Sequence, residues 1–136
     1  MILVAAALIV NRGRMLLAQR PAGTHLAGLW EFPGGKVEPG EEPAQGLRRE
    51  LREELGIEVE QAAEITRFPY EYPGRAPLVL IFYRVERFRG EVENRGFAEV
   101  AWVVRGRLPE YDFLEGDVQF VGEFARGLHP DPPVSG

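Results

Sequence analysis

Three glutamates, Glu50, Glu53 and Glu54, crowd into five consecutive positions of the segment RRELREEL. If this segment is a helix, carboxylates three or four residues apart repel each other by about 0.2–0.5 kcal/mol per pair. Converging carboxylates are also the ligands that a hard divalent cation such as Mg²⁺ or Mn²⁺ requires. The three acids therefore form either a metal site or a solvated acidic face, and for such a run alone the solvated face is the commoner outcome.

The apolar positions of the same segment place the acids beside the protein core. At about 100° per residue, one narrow apolar stripe runs along the helix, and the three acids are centred about 110° away from it. They therefore lie next to the buried side of the helix and not on its outermost face. The stripe consists of Ala44, Leu47, Leu51 and Leu55.

Two glycines in front of the helix favour the metal site. Gly34 and Gly35 come shortly before the acidic segment, and backbone without a side chain allows close approach of a metal ion or a phosphate. Pro43 in the first turn and Gly56 just past the last turn are typical helix boundaries. We therefore predict a helix over residues 42–55 that carries the acids towards this glycine loop.

The rest of the chain alternates strand and helix patterns without a break. Strands are predicted around a tight turn at Asn11-Arg12-Gly13, a loop with short extended pieces spans residues 20–40, and the segment PLVLIFYRV has the β-branched and aromatic composition of a central strand. We predict an α+β fold (an α/β/α sandwich) with a mixed β-sheet between helices, in one domain over residues 1–128. A flexible tail is expected at residues 129–136. The predicted strands are 2–10, 14–19, 58–69, 77–88 and 99–104, and the final helix is 116–127.

Composition excludes several classes of function. A net charge of -5 argues against an extended nucleic-acid surface but leaves room for a small anionic ligand. The chain has no cysteine, which excludes disulfides and thiolate metal sites. The apolar opening MILVAAALIV is about half the length of a membrane span and lacks a basic start, so we expect no membrane partner and a cytoplasmic location.

Nine residues fall at the spacing G-x5-E-x7-R-E-U-x-E-E-x-G-U, where U is a bulky aliphatic residue. This pattern resembles the Nudix box at every defined position, and the flanking segments LAGLWEFPGGK and YEYPGR resemble the MutT-type branch, the nucleoside triphosphate pyrophosphohydrolases. The nine residues are Gly35, Glu41, Arg49, Glu50, Leu51, Glu53, Glu54, Gly56 and Ile57.

The resemblance implies a divalent-metal-dependent hydrolysis of a nucleoside diphosphate-linked substrate. The first choice is a purine nucleoside triphosphate, oxidised forms included, cleaved to the monophosphate and pyrophosphate. ADP-ribose or a dinucleoside polyphosphate is the alternative substrate, and a non-catalytic nucleotide-binding sensor is the alternative to an enzyme. The partner would be a small nucleotide, and the protein a monomer or a homodimer. The cofactor would be Mg²⁺ or Mn²⁺.

The resemblance also assigns roles within the acidic segment. Glu50, Glu53 and Glu54, with backbone near Gly35, would bind metal, and Glu50 or Glu53 would act as general base. Arg49 would orient the carboxylates through charge-assisted hydrogen bonds. Glu41 is either a supporting acid at the loop–helix junction or a simple acid at the helix start.

A further metal-binding glutamate is often supplied in this branch from a loop before a tryptophan-bearing strand, here EVAWVV. Gapless counting places Gly96 at that position, with Glu93 and Glu99 as nearby candidates.

The resemblance also implies a nucleotide pocket, formed by residues outside the acidic segment. Asp117, if ionised, only accepts hydrogen bonds and would favour the donors on a guanine edge. Its alternative role is to cap the final helix. The residues assigned to the pocket are Arg20, Phe32, Tyr72, Arg75 and Asp117.

Overall fold

The structure, a computed structural model, describes residues 1–126. Within that range the chain forms eight strands, two α-helices and one 3-10 turn. In chain order they are β1 (Ile2–Leu8), β2 (Val10–Asn11), β3 (Arg14–Gln19), β4 (Trp30–Glu31), β5 (Gly34–Lys36), α1 (Pro43–Leu55), β6 (Glu58–Tyr70), β7 (Leu78–Arg89), β8 (Glu99–Val104), the 3-10 turn Arg105–Glu110, and α2 (Glu115–Ala125).

Strand β1 lies inside a mixed four-stranded sheet with the order β5-β1-β7-β6. It runs parallel to β7, from Ile2 opposite Leu78 to Leu8 opposite Arg84, and antiparallel to β5. Because side chains alternate along a strand, the two faces of β1 belong to different cores. One face packs with α1 and the other with α2. The sheet therefore separates two helical layers.

The chain changes sheets at Ile9. The second sheet contains β2, β3, β4 and β8, with β8 and the pair β2 and β4 on opposite edges of β3. The hairpin between β2 and β3 closes through Arg12 (φ 53) and Gly13 (φ 75), as expected for a tight turn that needs two left-handed residues. Strand β4 leads through Phe32 and Pro33 into β5, so the glycine loop is fixed at the border of both sheets.

Helix α1 begins and ends as its sequence predicts. The side chain of Gln45 accepts a hydrogen bond from the Glu42 N–H at 2.9 Å, and Gly56 adopts φ 69 with its N–H donating to the Arg52 carbonyl at 3.1 Å. The apolar stripe is buried against the sheet, with Leu47, Leu51 and Leu55 at 0% exposure. The acids therefore stand beside this contact, where the glycine loop comes close.

The α+β class with a mixed sheet and helices is confirmed, but the strands divide between two sheets instead of forming one. The predicted strand 2–10 is interrupted where the chain passes from one sheet to the other. The 3-10 turn at Arg105–Glu110 was not anticipated, and the end of the predicted final helix, like the predicted tail 129–136, lies outside the described residues. Neither α-helix of residues 1–126 has the length and apolar character needed to cross a bilayer.

Candidate active site

Arg49 connects the acids of α1 to the loop in front of the helix. Its Nε and Nη2 atoms donate to the two carboxylate oxygens of Glu41 at 2.9 and 3.1 Å, and its Nη1 donates to Glu50 Oε1 at 3.0 Å. The Lys36 carbonyl accepts a further bond from Nη2 at 3.0 Å. The hydrogen bond from Arg49 lowers the pKa of Glu41. Since Glu42 occupies the start of the helix, Glu41 is a supporting acid and not a cap.

Gly35 is the point where the glycine loop meets the acidic face. A Cβ atom at this position would lie 2.5 Å from the Glu50 carboxyl carbon and 2.7–2.8 Å from its oxygens. Only glycine leaves that carboxylate in place. Residue 34 is equally constrained, because a Cβ there would collide with the Ala5 carbonyl of the neighbouring strand. The loop backbone and the Glu50 carboxylate are therefore in direct contact.

Glu54 has the most perturbed environment of the three acids. Burial raises its pKa to about 9, with further contributions from the charges of Glu50 and Glu31. Its Oε1 atom is buried and meets no hydrogen-bond donor among residues 1–126, and a side-chain hydrogen bond with Glu50 also raises the pKa. A buried carboxylate oxygen without a donor, surrounded by other acids, is destabilising unless a cation or a proton balances it. The residues present therefore fit a divalent cation.

The third acid, Glu53, is more open to solvent. Its side chain is 59% exposed and contacts Arg49 at 3.5 Å. Within residues 1–126 no group of three acidic, histidine or cysteine side chains is already drawn together as a metal site. Carboxylates that carry the same charge repel each other, which gives a physical reason why the three acids do not converge. Arg49 holds the Glu50 carboxylate, and the Glu53 side chain extends into water.

A cavity of about 590 Å³ opens beside Glu54. Gly35 and Glu54 form part of its wall, and all five residues assigned to the nucleotide pocket line it as well. Arg49, Glu50 and Glu53 lie outside the lining. The five residues are Arg20, Phe32, Tyr72, Arg75 and Asp117.

Phe32 belongs to the core as much as to the cavity. It is 2% exposed and its ring stacks on Phe113 at a centroid distance of 5.6 Å, with the edges of Phe82 and Phe120 around it. Its backbone N–H also donates a hydrogen bond to the Asp117 carboxylate. The backbone of Phe32 therefore helps to fix the position of the Asp117 carboxyl group.

Asp117 is a buried carboxyl group at 4% exposure. Burial raises its pKa to about 8, and the charge of Glu31 adds to the shift. A pKa raised in this way favours the protonated form at neutral pH, and that form offers an O–H donor besides its acceptors, so the condition that Asp117 is ionised is not the one that its surroundings favour. The capping alternative is wrong, since Leu114 precedes the first turn of α2 and Asp117 lies inside that turn.

Tyr72 and Arg20 are held in place by the protein. The Tyr72 hydroxyl accepts a hydrogen bond from the Gly116 N–H at 2.8 Å, and burial raises the pKa of Tyr72 to about 12. Arg20 forms an ion pair with Glu31 at 3.3 Å and donates through Nε to the His25 carbonyl at 2.7 Å. Arg75 lines the cavity from the turn after Tyr72, whose carbonyl accepts the Arg75 N–H at 3.0 Å.

Sequence reasoning missed Glu31. This carboxyl group lines the cavity beside Arg20, and burial raises its pKa to about 7 even though Arg20 opposes the shift. The signal was present in the segment LWEFPGGK, where an acid stands inside an apolar strand directly before Phe32. His25 and Leu26 of the preceding loop also line the cavity.

The loop before β8 reaches the cavity through Gly96 and Phe97 instead of through an acid. Glu93 is paired with Arg95 at 3.0 Å, and Glu99 stands opposite Gln19 in the β3–β8 ladder. Glu93 and Glu99 therefore have other neighbours in this conformation.

Comparison with known proteins yields one consistent family. The NUDIX domain model matches residues 1–124. The chain is 40% identical over 124 residues to the CTP pyrophosphohydrolase of Escherichia coli K12, covering 91% of each chain. It is also 40% identical over 124 residues to the 8-oxo-dGTP diphosphatase of the same organism, covering 90% of this chain and 95% of the relative. The solution structure of the E. coli ORF135 protein superimposes with a TM-score of 0.81 at 39% identity, covering 93% of this chain and 89% of that one.

Proposed function

This chain belongs to the Nudix hydrolase family, and from that premise we propose that it cleaves nucleoside triphosphates, oxidised purine forms first among them, into the monophosphate and pyrophosphate. The family and the named diphosphatase relatives make it a pyrophosphohydrolase. Small nucleotides, and not extended nucleic acid, are its proposed partners.

One observation carries the proposal: Glu54 Oε1, which is buried and meets no hydrogen-bond donor within the described residues, adjoins the same cavity that holds the proposed nucleotide-binding residues. A cation balanced by Glu54 would bring the phosphates of a nucleotide to the acidic end of the cavity. The base would then occupy the end formed by Phe32, Tyr72 and Asp117. This arrangement fits a ligand that combines a polyphosphate with an aromatic base.

Glu50, Glu53 and Glu54, with backbone near Gly35, are the residues that would hold Mg²⁺ or Mn²⁺. When bound, such an ion screens phosphate charge and lowers the pKa of coordinated water. The protein's own contribution is positional: Arg49 fixes the Glu50 carboxylate, and the missing side chain of Gly35 leaves room beside it.

The reaction balances without any other reactant. A water oxygen attacks a phosphorus atom, the P–O bond to the bridging oxygen breaks, and the bridging oxygen leaves with the electron pair of that bond, which gives the monophosphate and pyrophosphate. Glu50 or Glu53 accepts the proton from the attacking water. Arg20 and Arg75 at the cavity wall favour the negatively charged phosphates over a neutral ligand.

A pyrimidine nucleotide is the second candidate. It is supported by the relative named CTP pyrophosphohydrolase, which matches as well as the diphosphatases. The wall itself does not favour one base, because a protonated Asp117 both donates and accepts hydrogen bonds. A guanine edge and a cytosine edge each present a donor and an acceptor that this carboxyl group can satisfy.

A substrate panel tests the proposal. Pyrophosphate release would be measured with 8-oxo-dGTP, dGTP, dATP and CTP. For ADP-ribose and a dinucleoside polyphosphate, the total amount of hydrolysis products would be measured. Each reaction would be run with Mg²⁺ and with a chelator. We expect the highest kcat/KM for an oxidised purine triphosphate and no turnover with the chelator. A preference for CTP would favour the second candidate, and a preference for ADP-ribose would refute both.

Glu54→Gln tests the observation on which the proposal rests. Loss of a metal ligand removes several kcal/mol of transition-state stabilisation, so kcat/KM should fall about 100-fold or more. The melting temperature of the metal-free protein should not fall, since an amide of equal size replaces the buried carboxyl group. Glu64→Gln, at an acid paired with Arg67 away from the cavity, is the control and should keep its activity. Undiminished turnover in Glu54→Gln would contradict the metal assignment.

A further inference from the structure

The segment between β7 and β8, residues 91–98, is attached to the end of α1. The Glu93 N–H donates to the Leu55 carbonyl, and the Arg95 N–H donates to the Glu54 carbonyl, both at 2.9 Å. These two carbonyls belong to the last turn of the helix, where no intrahelical donor reaches them. The segment therefore completes the hydrogen bonding of the helix that carries the acids.

The side chain of Arg95 strengthens this attachment. Its Nη1 donates to the Arg52 carbonyl at 3.3 Å, and its Nε donates to Glu93 Oε2 at 3.0 Å. A cation at a helix C-terminus is favoured by the helix dipole. The guanidinium lies over Gly56, where a Cβ atom would come within 2.7–3.0 Å of it. Gly56 thus serves two needs, a left-handed φ of 69 and space for Arg95.

The far end of the same segment forms part of the cavity wall. Gly96 and Phe97 line the cavity, and Asn94 holds both by accepting their N–H groups at 3.2 and 2.8 Å. The Asn94 amide also donates to the Phe97 carbonyl at 2.9 Å. The turn is therefore rigid within itself, so its placement against α1 depends on the contacts of Glu93 and Arg95.

We propose that Arg95 is a positioning residue that fixes the Gly96–Phe97 wall of the cavity relative to Glu54. It touches neither the cavity nor the carboxylates of α1. Arg95 acts on the substrate indirectly. Its guanidinium binds the end of α1, the neighbouring Asn94 turn is thereby held in place, and this turn carries the Gly96–Phe97 wall. The kinetic consequence rests on the proposed nucleotide hydrolysis, whereas the anchoring of the loop does not.

A simple stabilising cap at the end of α1 is the competing explanation, and local measurements separate the two. Amide hydrogen exchange would be followed in Arg95→Ala, Arg95→Lys and the control Arg67→Ala. The control is well matched, because Arg67 also pairs with a glutamate and is 48% exposed, against 47% for Arg95. Steady-state kinetics would use the triphosphate that the wild type hydrolyses best.

In Arg95→Ala we expect exchange of the backbone amides at positions 93 and 95 to accelerate about tenfold, the size expected for loss of one charge-assisted hydrogen bond. KM should rise about fivefold to tenfold while kcat stays within about twofold, since the wall contacts the substrate and not the reacting atoms. Arg95→Lys should restore part of both effects, and Arg67→Ala should show neither. Unchanged exchange, unchanged KM, or a fall in kcat at constant KM would each overturn the proposal.

Gly56→Ala provides an independent check. Its new methyl group must displace the guanidinium, so exchange in residues 91–98 should accelerate as in Arg95→Ala, and the double variant should add little to the exchange of this segment. Because alanine at φ 69 also strains the backbone, the outcome that would overturn the proposal is an unchanged exchange rate in Gly56→Ala, which would show that the guanidinium does not lie against this position. If the wild type hydrolyses no triphosphate, the proposed function fails, and the exchange data still decide whether Arg95 anchors the loop.

Discussion

Replacing Asp117 by asparagine should make the protein less sensitive to alkaline pH. The carboxyl group is buried, accepts the Phe32 N–H, and faces Glu31 of β4 and the Tyr72 hydroxyl. Its pKa rises from 3.8 to about 8 on folding. Between these values the native state binds a proton that the unfolded chain releases. Stability from this group is therefore complete below about pH 4 and is lost as the pH rises through about 8.

The size of the effect follows from the shift. Each pH unit between the two pKa values costs about 1.4 kcal/mol of unfolding free energy, so about 3 kcal/mol is lost between about pH 5 and about pH 7.5. Asparagine has the same shape and no proton to lose, and its amide oxygen still accepts the Phe32 N–H. The gain from Asp117→Asn should therefore be about 2–3 kcal/mol larger at the higher pH.

Urea unfolding in the presence of a chelator, at about pH 5 and about pH 7.5, measures this difference. Other acids titrate in both proteins, so their contributions largely cancel when the two are compared at each pH. Asp112→Asn, at an exposed aspartate near the start of α2, is the control and should change stability by less than about 0.5 kcal/mol at either pH. An equal effect of Asp117→Asn at both pH values would refute the reasoning, because it would mean that Asp117 is ionised in the native state.

Three further substitutions test the candidate site and its support. Glu53→Gln should lower kcat by about 10²–10⁴-fold without a loss of melting temperature, because the side chain is largely exposed; near-native turnover with an unchanged Mg²⁺ requirement would refute its role. Gly35→Ala should displace the Glu50 carboxylate and lower kcat/KM, whereas Gly106→Ala, which meets no atom within 4 Å, should leave it unchanged; equal kinetics would show that the loop gives way at no cost. Leu51→Ala should cost about 2–5 kcal/mol in urea unfolding while the folded fraction remains active, and an unchanged midpoint would mean that the helix buries another face.

Local patterns predicted the helix and its surroundings well, because the information lies in neighbouring residues. The stripe through Leu47 and Leu51, with Pro43 and Gly56 at the ends, determines both the limits and the buried face of α1. The division into two sheets was not predictable, since residues 2–10 are apolar throughout and carry no signal for a change at Ile9. A run that is apolar on both faces fits one sheet as well as two.

The properties of the cavity acids depend on residues far apart in the chain. The pKa values of Asp117 and Glu31 are raised by burial that the folded structure creates, and each also responds to charges on other elements. The family resemblance pointed to Asp117, but the sequence carries no signal for the burial that raises its pKa. Sequence reasoning passed over Glu31 because, although an acid among apolar residues in LWEFPGGK can be noticed locally, the residues that bury its carboxyl group come from other parts of the chain. The proposed role of Arg95 could not be predicted from the sequence either. It depends on the contact between residues 91–98 and the end of α1, which only the folded structure shows.

The parallel pairing of β1 with β7 has a consequence for the order of folding. The two strands lie on either side of α1 in the sequence, so closing this ladder orders most of the domain and carries a large loop entropy. A helix the length of α1 is marginal in water by itself, and its apolar stripe packs on the sheet that this ladder holds together. We therefore expect the carboxylates of α1 and the backbone of Gly35 to meet only after β1 and β7, which flank the helix in sequence, have paired. A nascent chain that ends before Leu78 lacks β7, so we expect it to bind a cation at the proposed site only after β7 has been added.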